Sequence, residues 1–299
     1  MLKNELCAIG KLYAISPVHA GSGAATSAVD LPIQRERHTE WPQIQASGVK
    51  GAFRNHFRRF NAKEKDLINL IFGSDEQDGW AKNMDMLPGA VSISDARLLA
   101  FPVRSNIAPF VWITSPAVLK RFNADLTYIG SKVTVTEKDI QKEGALSIGT
   151  HQISGQVILE DAVSNVIKHQ EAAFVKRLFP ELERLLLVSD EMYKYAVTCC
   201  TEVQTHIKIN EKTGTADDGA LWYQEYLPAD SLLYTLVHYS HREGGESSDV
   251  GVQARLAELK AATIRRYVEE TISGYVQIGG DETLGKGIFK LTWLEGGDA

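Results

Sequence analysis

The chain has 299 residues, of which 44% are hydrophobic and 23% charged, and its formal net charge is −6 at pH 7. This length allows one large domain or two modest ones, and the net acidity argues against non-specific coating of nucleic acid. The three cysteines show no CxxC spacing, which excludes a disulfide framework and favours a reducing compartment. No apolar run approaches the roughly 18 residues of a membrane span, and the N-terminus lacks the apolar core of a signal peptide, so we expect a cytoplasmic protein without a membrane partner.

The first half of the chain is arranged around one strong helical pattern. Val49, Phe53, Phe57 and Phe60 have helical spacing, and Ser47 before them predicts the N-cap of that helix. Around it we predict a strand at 5–15, a short helix at 63–72, a polar loop at 74–88, a strand at 90–99, an irregular proline-containing segment at 101–121, and an insert of short strands at 125–154.

The second half predicts two helices, a long hairpin and a closing unit. Helical spacing covers 159–179 and 180–195, and alternation at 198–210 passes through a turn-rich tip and returns as ALWYQEYL, a β-hairpin pattern. A strand at 231–239, a helix at 250–270 and two strands at 275–278 and 288–294 follow. The order strand, helix, strand, then strand, helix, strand predicts an α+β ferredoxin-like (βαββαβ) sheet with large insertions, a fold whose open face serves RNA-recognition modules.

The predicted helix after Ser47 carries a basic face. Lys50, Arg54 and Arg58 recur every four residues and stack along one side, where neighbouring cations repel by roughly a few tenths of a kcal/mol per pair. The segment 35–60 holds six Lys or Arg residues against two acids in a chain that is acidic overall. A solvated helix face is one explanation, but a basic island in an acidic protein favours a localised anionic partner.

The glycine-rich turn IGGDETLGKG nearly matches a phosphate-binding loop. The spacing from Gly280 to Lys286 fits, but Gly287 occupies the position of the magnesium-binding Ser or Thr, and a strand follows where a helix is required. The pattern therefore does not support a nucleotide hydrolase. Its glycines allow close backbone packing against either a ligand or another element, and both alternatives stay open.

Candidate chemistry outside these motifs rests on single residues. Asp30 could bind a divalent metal, act as a base or cap a turn, and His19 could be structural or catalytic. Trp222, Tyr223 and Tyr226 could belong to the core or stack on bases, which is worth roughly 1–3 kcal/mol per base. No His/Cys cluster has zinc spacing and no G-x-S-x-G is present, so zinc enzymes and the usual serine hydrolases have no support.

Four segments together resemble a known family. They are SPVHAGSG followed by VDLPIQRERHTEWPQIQASGVKGAFR, IFG at 71–73, DARLLAFPVRS at 95–105, and GGDETLGKG in the late turn. This set is similar to the RAMP-superfamily backbone subunit of type III-B CRISPR–Cas effector complexes. One departure is Glu40, which stands where that family usually has glycine before Trp41, a loop substitution that should leave the chemistry intact.

The resemblance implies a single domain over 1–299, with an RRM-like palm, inserted segments at 74–89 and 100–195, and a thumb β-hairpin at 203–227. It implies further copies of the protein stacked into a helical filament along a CRISPR guide RNA, together with other type III-B subunits. It also implies an endoribonuclease in antiviral defence that cuts paired single-stranded target RNA at regular intervals. A divalent metal, Mg²⁺ or Mn²⁺, would be its cofactor, and a 2′,3′-cyclic phosphate and a 5′-OH would be its products.

The same resemblance implies roles for individual residues. Asp30 matches the catalytic aspartate and is the predicted metal ligand, and His19 matches the histidine of the H-x-G-S-G loop. Glu225 and Tyr226 fall in the acidic and aromatic segment near the cut. The residues predicted to contact RNA are Lys50 and Arg54, which match the phosphate-gripping helix, and Ser47, Arg58, Arg35, Gly279, Gly280 and Lys286.

Three other functions stay open at this point. The fold could serve as a purely architectural guide-RNA-binding subunit without catalysis. It could also be a metal-independent guide-processing endoribonuclease with His19 as general base. From another class, a small-molecule phosphate enzyme could use the turn from Gly280 to Lys286 and would bind nucleotide without RNA.

Overall fold

The computed structural model describes residues 6–26, 28–60, 65–73, 88–133, 135, 140–169, 173–241 and 259–295. Within them the protein is a mixed α+β fold dominated by one sheet, which confirms the predicted class. In chain order the elements are β1 Leu6–Ala14, β2 Gln43–Ile44, α1 Ala46–Phe60, α2 Lys65–Phe72, β3 Val91–Ile93, β4 Ala96–Arg104, β5 Phe110–Thr114, α3 Pro116–Tyr128, β6 Gly144–Ser147, β7 Gly155–Leu159, β8 Ala162–Lys168, α4 Ala173–Leu178, β9 Leu185–Val188, α5 Asp190–Cys199, β10 Glu202–Ile209, β11 Ala216–Tyr226, β12 Leu232–Tyr239, α6 Ala261–Thr271, β13 Gly274–Gln277 and β14 Ile288–Glu295. Most of the predicted loop at 74–88 and the first part of the helix predicted at 250–270 fall outside the described residues. No helix in the described ranges is long and apolar enough to cross a membrane.

A 12-stranded sheet follows the order β13-β14-β1-β12-β4-β5-β9-β6-β8-β7, with β2 also paired to β4 and β3 to β12. Its centre is antiparallel: β1 lies between β14 and β12, so that Ala8 is opposite Glu295 on one side and Val237 on the other. The parallel pairs β5–β9 and β6–β8 lie in the outer half. Strands β10 and β11 form a separate antiparallel hairpin, as the alternation predicted.

Helices α1 and α6 pack on the sheet and on each other through aromatic side chains. Val49, Phe53 and Phe57 on the inner face of α1 are buried, as their spacing predicted, whereas Phe60, the last member of the predicted series, ends the helix and is exposed. The Phe53 ring lies 6.1 Å from Trp293 of β14, and the Phe57 ring lies 5.2 Å from Tyr267 of α6. Burying each such phenylalanine contributes roughly 1.5–3 kcal/mol. The inner face of α1 is thus held firmly, which fixes the orientation of its basic side.

Three segments of the predicted insertion differ from the sequence prediction. Residues 155–168 form the hairpin β7–β8 where a helix was predicted from 159, and β9 is a buried strand inside the second predicted helix. The segment 101–121 is regular: it continues β4, forms β5 and begins α3. Ser115 caps α3, and Pro116 occupies its first turn, where the missing N–H costs no hydrogen bond.

Candidate functional site

The loop that follows β1 lies along one edge of strand β11. Val18 and Leu227 exchange two backbone hydrogen bonds of 2.9 Å. Further along, the Leu31 N–H donates to the Tyr223 carbonyl at 3.1 Å, and the Glu225 N–H donates to the Leu31 carbonyl at 3.0 Å. The opposite edge of β11 is paired with β10. Backbone hydrogen bonds therefore attach this loop to the hairpin formed by β10 and β11, and they fix the positions of the side chains of the loop.

Asp30 is half-buried and is fixed by two contacts with Tyr223. Its Oδ2 accepts a hydrogen bond of 2.7 Å from the Tyr223 N–H, and its own N–H donates to the Tyr223 carbonyl at 3.1 Å. Its second oxygen, Oδ1, has no hydrogen-bond partner among the residues that the structure describes. One oxygen orients the carboxylate and the other is presented, an arrangement suited to acting on a ligand.

His19 is held two residues further along the same strand edge. Its Nδ1 lies 2.8 Å from the Glu225 carbonyl oxygen. A carbonyl only accepts, so Nδ1 carries the proton, and Nε2 of the neutral imidazole keeps a lone pair. Gly21 packs against this ring, since a Cβ there would lie 2.7 Å from Nε2. Residues two apart on a strand are separated by about 7 Å, so the anchors of Asp30 and His19 are close neighbours.

Glu225 is buried, and its carboxylate is fully engaged. Oε1 lies 2.6 Å from Arg35 Nη2 and accepts from the Thr201 hydroxyl at 2.7 Å, and Oε2 accepts from the Ile33 N–H at 3.0 Å. Arg35 uses Nη1 on two backbone carbonyl oxygens, each at 2.8 Å. We therefore revise two predicted roles: the engaged atoms fit a structural ion pair better than a catalytic carboxylate and a phosphate-binding guanidinium.

Tyr226 ends β11 with its ring buried. Its hydroxyl contacts Asp281 Oδ2 at 2.8 Å and His206 Nε2 at 3.2 Å, and Lys286 Nζ lies 4.9 Å from the centre of its ring. Burial, followed by the hydrogen bond and charge of Asp281, raises the pKa of this hydroxyl. Tyr226 therefore stays protonated and is a donor, not a base. Sequence reasoning identified neither Asp281 nor His206 as part of the site.

The glycine-rich turn packs on the backbone of His19. The Gly280 N–H donates to the His19 carbonyl at 2.8 Å, and a Cβ on Gly279, whose φ is +103°, would lie 2.8 Å from the same oxygen. Glycine tolerates both this backbone conformation and this close approach. Of the two alternatives left by the sequence, packing against another element is the one observed. This geometry gives Gly279 and Gly280 a supporting role beside His19, and their RNA contact stays a prediction.

Helix α1 begins at Ala46, before the predicted N-cap Ser47. The Gln45 carbonyl accepts from the Val49 N–H at 3.1 Å, so Gln45 is the N-cap residue, and Asp95 Oδ1 accepts from the Ala46 N–H at 2.7 Å. The N-cap prediction for Ser47 is wrong because a carboxylate from the residue just before β4 satisfies the first amide. Ser47 lies in the first turn and is exposed.

The basic side of α1 is half-buried at Lys50, Arg54 and Arg58. Burial, followed by the charge of Arg54, lowers the pKa of Lys50. Arg54 Nη2 donates to Asn69 Oδ1 of α2 at 2.8 Å. A partly desolvated row of cations produces a positive potential that an anionic backbone along the helix would relieve. The phosphate contacts of these three residues stay predictions.

Among the described residues, no group of three or more His, Cys, Asp or Glu side chains could hold a metal ion, so this part of the chain has no resident metal site. The candidate donor is Asp30. Magnesium is commonly held by one or two carboxylates together with substrate phosphates and water. Asp30 supplies one such carboxylate oxygen, Oδ1, and the divalent ion predicted there stays a prediction.

The class of protein follows from a family model described as the RAMP superfamily, which matches residues 11–290. This range includes the loop on β11, the basic helix and the glycine-rich turn. The chain belongs to the RAMP superfamily, as its four sequence segments predicted.

The chain is also similar to individual proteins and to solved structures. The chain is 33% identical over 296 residues to the CRISPR system Cmr endoribonuclease Cmr4 of Pyrococcus furiosus, covering 95% of this chain and 94% of the relative. It is 24% identical over 320 residues to the CRISPR system CMR subunit Cmr4 of Saccharolobus solfataricus, covering 95% of each. The crystal structure of oligomeric Cmr4 from Pyrococcus furiosus superposes with a TM-score of 0.70 at 27% identity, covering 97% of this chain and 98% of that one. A chain in the cryo-EM structure of the type III-B Cmr-beta bound to cognate target RNA, at 20% identity and a TM-score of 0.71, shares the fold over 96% of this chain and 97% of its own.

Proposed function

We propose that this protein is a guide-RNA-binding backbone subunit of a type III-B CRISPR effector and cleaves target RNA paired with the guide in the cytoplasm. The observation that carries the proposal is the anchoring of Asp30 and His19 to one edge of β11. The name of the 33% identical relative, a Cmr endoribonuclease, supports the activity. The 27% identical structure is that of an oligomeric Cmr4, which supports stacking of several copies within an effector that has other subunits.

The strand order supports a ferredoxin-like palm. Strands β14, β1, β12 and β4 are consecutive neighbours, α1 lies between β1 and β4 in the chain, and α6 lies between β12 and β14. This order supports the βαββαβ arrangement, with the segment from β5 to α5 as an insertion after β4. The hairpin β10–β11 is the candidate thumb. In this assignment Asp30 and His19 lie where the thumb leaves the palm.

Cleavage would begin when the ribose 2′-OH attacks the adjacent phosphate in line with the leaving 5′-oxygen. The new bond gives a 2′,3′-cyclic phosphate, and the leaving 5′-oxygen takes a proton from water to become the 5′-OH. His19 Nε2 has the lone pair needed to take the 2′-OH proton. Asp30 presents Oδ1, and a Mg²⁺ or Mn²⁺ ion bound there with RNA would neutralise charge on the phosphate. Splaying the flanking base would align the attack, so geometry supplies much of the rate.

The test is Asp30→Ala in a complex reconstituted with guide and labelled target RNA. Cleavage at every regular position is expected to slow by about 10²–10⁴-fold, while guide affinity and assembly stay unchanged. Glu270→Ala, which removes an exposed carboxylate from α6, is the matched control and should cut normally. Undiminished cutting by the Asp30 variant would reject the catalytic proposal and leave an architectural subunit.

Chelation separates this function from a second candidate. EDTA is expected to stop cleavage, and added Mg²⁺ or Mn²⁺ to restore it, because the ion bound at Asp30 is proposed to neutralise charge on the phosphate. With Nδ1 bound to the Glu225 carbonyl, the lone pair of His19 Nε2 serves equally as the base of the alternative, a metal-independent guide-processing endoribonuclease. Cleavage that survives EDTA but is abolished by His19→Ala would establish that alternative.

A further inference from the structure

The Tyr226 hydroxyl joins segments that the proposed mechanism does not use. Asp281, in the glycine-rich turn, lies 2.8 Å from it, and His206, on β10, lies 3.2 Å from it. The same Asp281 oxygen accepts from Gln224 Nε2 at 2.6 Å. Tyr226 and Gln224 are both buried. Both strands of the hairpin and the late turn therefore meet in one network.

Elementary chemistry fixes the direction of these hydrogen bonds. A carboxylate only accepts, so the single hydroxyl proton of Tyr226 points to Asp281. The tyrosine oxygen then accepts from His206, whose Nε2 must carry hydrogen. Trp222 stacks on the His206 ring with centroids 5.4 Å apart and an angle of 13°, which holds the ring in place. The network runs from His206 through Tyr226 to Asp281.

The Asp281 backbone is left-handed, a conformation that aspartate adopts more readily than most side chains but less readily than glycine. Its φ is 59°, in the left-handed region, where a side chain normally costs free energy and glycine does not. The other residues of this turn with positive φ, Gly279, Gly285 and Gly287, are glycines. A non-glycine residue held in such a conformation points to a function for its side chain. Here the side chain ties the turn to Gln224 and Tyr226 of the hairpin.

His19 lies between the two parts that Asp281 joins. On the side of the turn, the Gly280 N–H donates to the His19 carbonyl at 2.8 Å. On the side of the hairpin, His19 Nδ1 donates to the Glu225 carbonyl at 2.8 Å, and its ring lies 5.5 Å from the Tyr226 ring. Movement of the turn relative to the hairpin would therefore displace the imidazole.

We propose that Asp281 is a positioning residue for target-RNA cleavage: it locks the hairpin to the glycine-rich turn through Tyr226 and so holds His19 in place. His206 completes the lock by donating to the same hydroxyl. This inference rests on the proposed function and adds to it a residue that holds the hairpin and the glycine-rich turn in a fixed relative position. A displacement of about 1 Å at a reacting group can cost about 10²-fold in rate.

The test is Asp281→Gly, which removes the carboxylate and also relieves the left-handed strain, so that folding is not compromised. Cleavage is expected to slow by about 10- to 100-fold with guide and target affinities unchanged. Asp281→Asn keeps an acceptor oxygen and tolerates positive φ, so it should retain most of the rate. Glu282→Gln, a neighbouring exposed position, is the matched control and should cut normally.

Tyr226→Phe tests whether Asp281 acts through the hydroxyl. It should slow cleavage by a similar factor, and the double variant with Asp281→Gly should be no slower than the slower single variant, because both changes break one lock. Effects that multiply in the double variant, or normal cleavage by Asp281→Gly, would overturn the proposal.

A readout without cleavage keeps this test separate from the proposed function. Lys208 and Lys212 lie at the far end of the hairpin, so the rate of trypsin digestion there reports how firmly the hairpin is held. Digestion of Asp281→Gly and Tyr226→Phe should be faster than that of the wild type at equal global stability, and an equal rate would refute the lock. Failure of Asp30→Ala to lose activity would instead refute the proposed function, whatever trypsin shows.

Discussion

The ion pair between Arg35 and Glu225 gives a prediction at the scale of single residues. The two side chains are 20% and 8% exposed, and their charged atoms are 2.6 Å apart, so the pair is largely removed from water. Removing one partner leaves the other charge buried without compensation, which costs more than the pair itself contributes. Arg35→Ala is therefore expected to lower the free energy of unfolding by about 3 kcal/mol, measured by urea denaturation.

Arg37→Ala is the matched control, since Arg37 is an exposed arginine two positions away. It should change the free energy of unfolding by less than about 0.5 kcal/mol. If Arg35→Ala left the free energy of unfolding unchanged and weakened the dependence of guide binding on salt, the sequence-based prediction that Arg35 contacts RNA would be restored.

Sequence reasoning at this scale reached Asp30 and His19 because they lie in a segment that matches a family. Nothing local marks Asp281, whose partner Tyr226 is 55 residues away. The family resemblance placed the carboxylate of Glu225 near the cut, but its oxygens are engaged by groups that include one 190 residues distant. Strand pairing brings such groups together, and a local pattern does not contain that information.

Among the helices, α1 offers a substitution, Gly51→Ala, whose effects on helix stability and on RNA binding are expected to have opposite signs. Gly51 is exposed, and a Cβ built there would meet nothing within 4 Å. Gly51→Ala should therefore raise the free energy of unfolding by about 0.5–1 kcal/mol, because alanine loses less backbone entropy on folding. If guide RNA lies along this helix beside Lys50, the added methyl group should weaken guide binding. Urea denaturation and a filter-binding titration of the same variant measure the two effects.

Lys50→Ala supplies the comparison for that experiment. It should weaken guide binding regardless of RNA sequence and reduce the slope of log K against log salt by about 0.7, the value for one phosphate contact on a single strand. A stabilised Gly51→Ala protein with unchanged affinity, together with an unchanged salt slope for Lys50→Ala, would place the guide elsewhere.

Elements with a one-sided apolar pattern were predictable, and those decided by tertiary pairing were not. Helix α1 and the hairpin β10–β11 show clean periods in the sequence. The hairpin β7–β8 carries apolar residues on both faces, with Ile158, Val163 and Ile167 exposed, so its pattern also fits a helix. For α3 the signal was present: Ser115 before Pro116 is a helix start, which the prolines nearby obscured.

In the whole molecule, the segment predicted as an insertion extends the central sheet. Strands β5, β9, β6, β8 and β7 continue in order from β4, so this segment shares one sheet with β14, β1, β12 and β4. The order of elements predicted the class of fold. It could not predict this continuity, because parallel pairs such as β5 with β9 join strands from distant parts of the chain.

Buried tyrosines make the stability of the folded protein sensitive to alkali. Burial raises the pKa of Tyr193, Tyr234 and Tyr239 above the ordinary value, with Asp125 beside Tyr234 and Glu269 beside Tyr239 adding to the effect. In the unfolded chain these hydroxyls ionise near pH 10, whereas in the folded protein they keep their protons. The folded state then binds more protons than the unfolded state, so stability is fully present below about pH 10 and falls above it.

The expected loss is about 1.4 kcal/mol per pH unit for each such tyrosine. Urea denaturation below and above about pH 10 measures this slope, and tyrosinate absorbance should rise together with unfolding. A Tyr239→Phe variant should show a shallower slope, because one proton fewer distinguishes the two states. Smooth ionisation of these tyrosines at their ordinary pKa in a protein that stays folded would contradict their burial in the core.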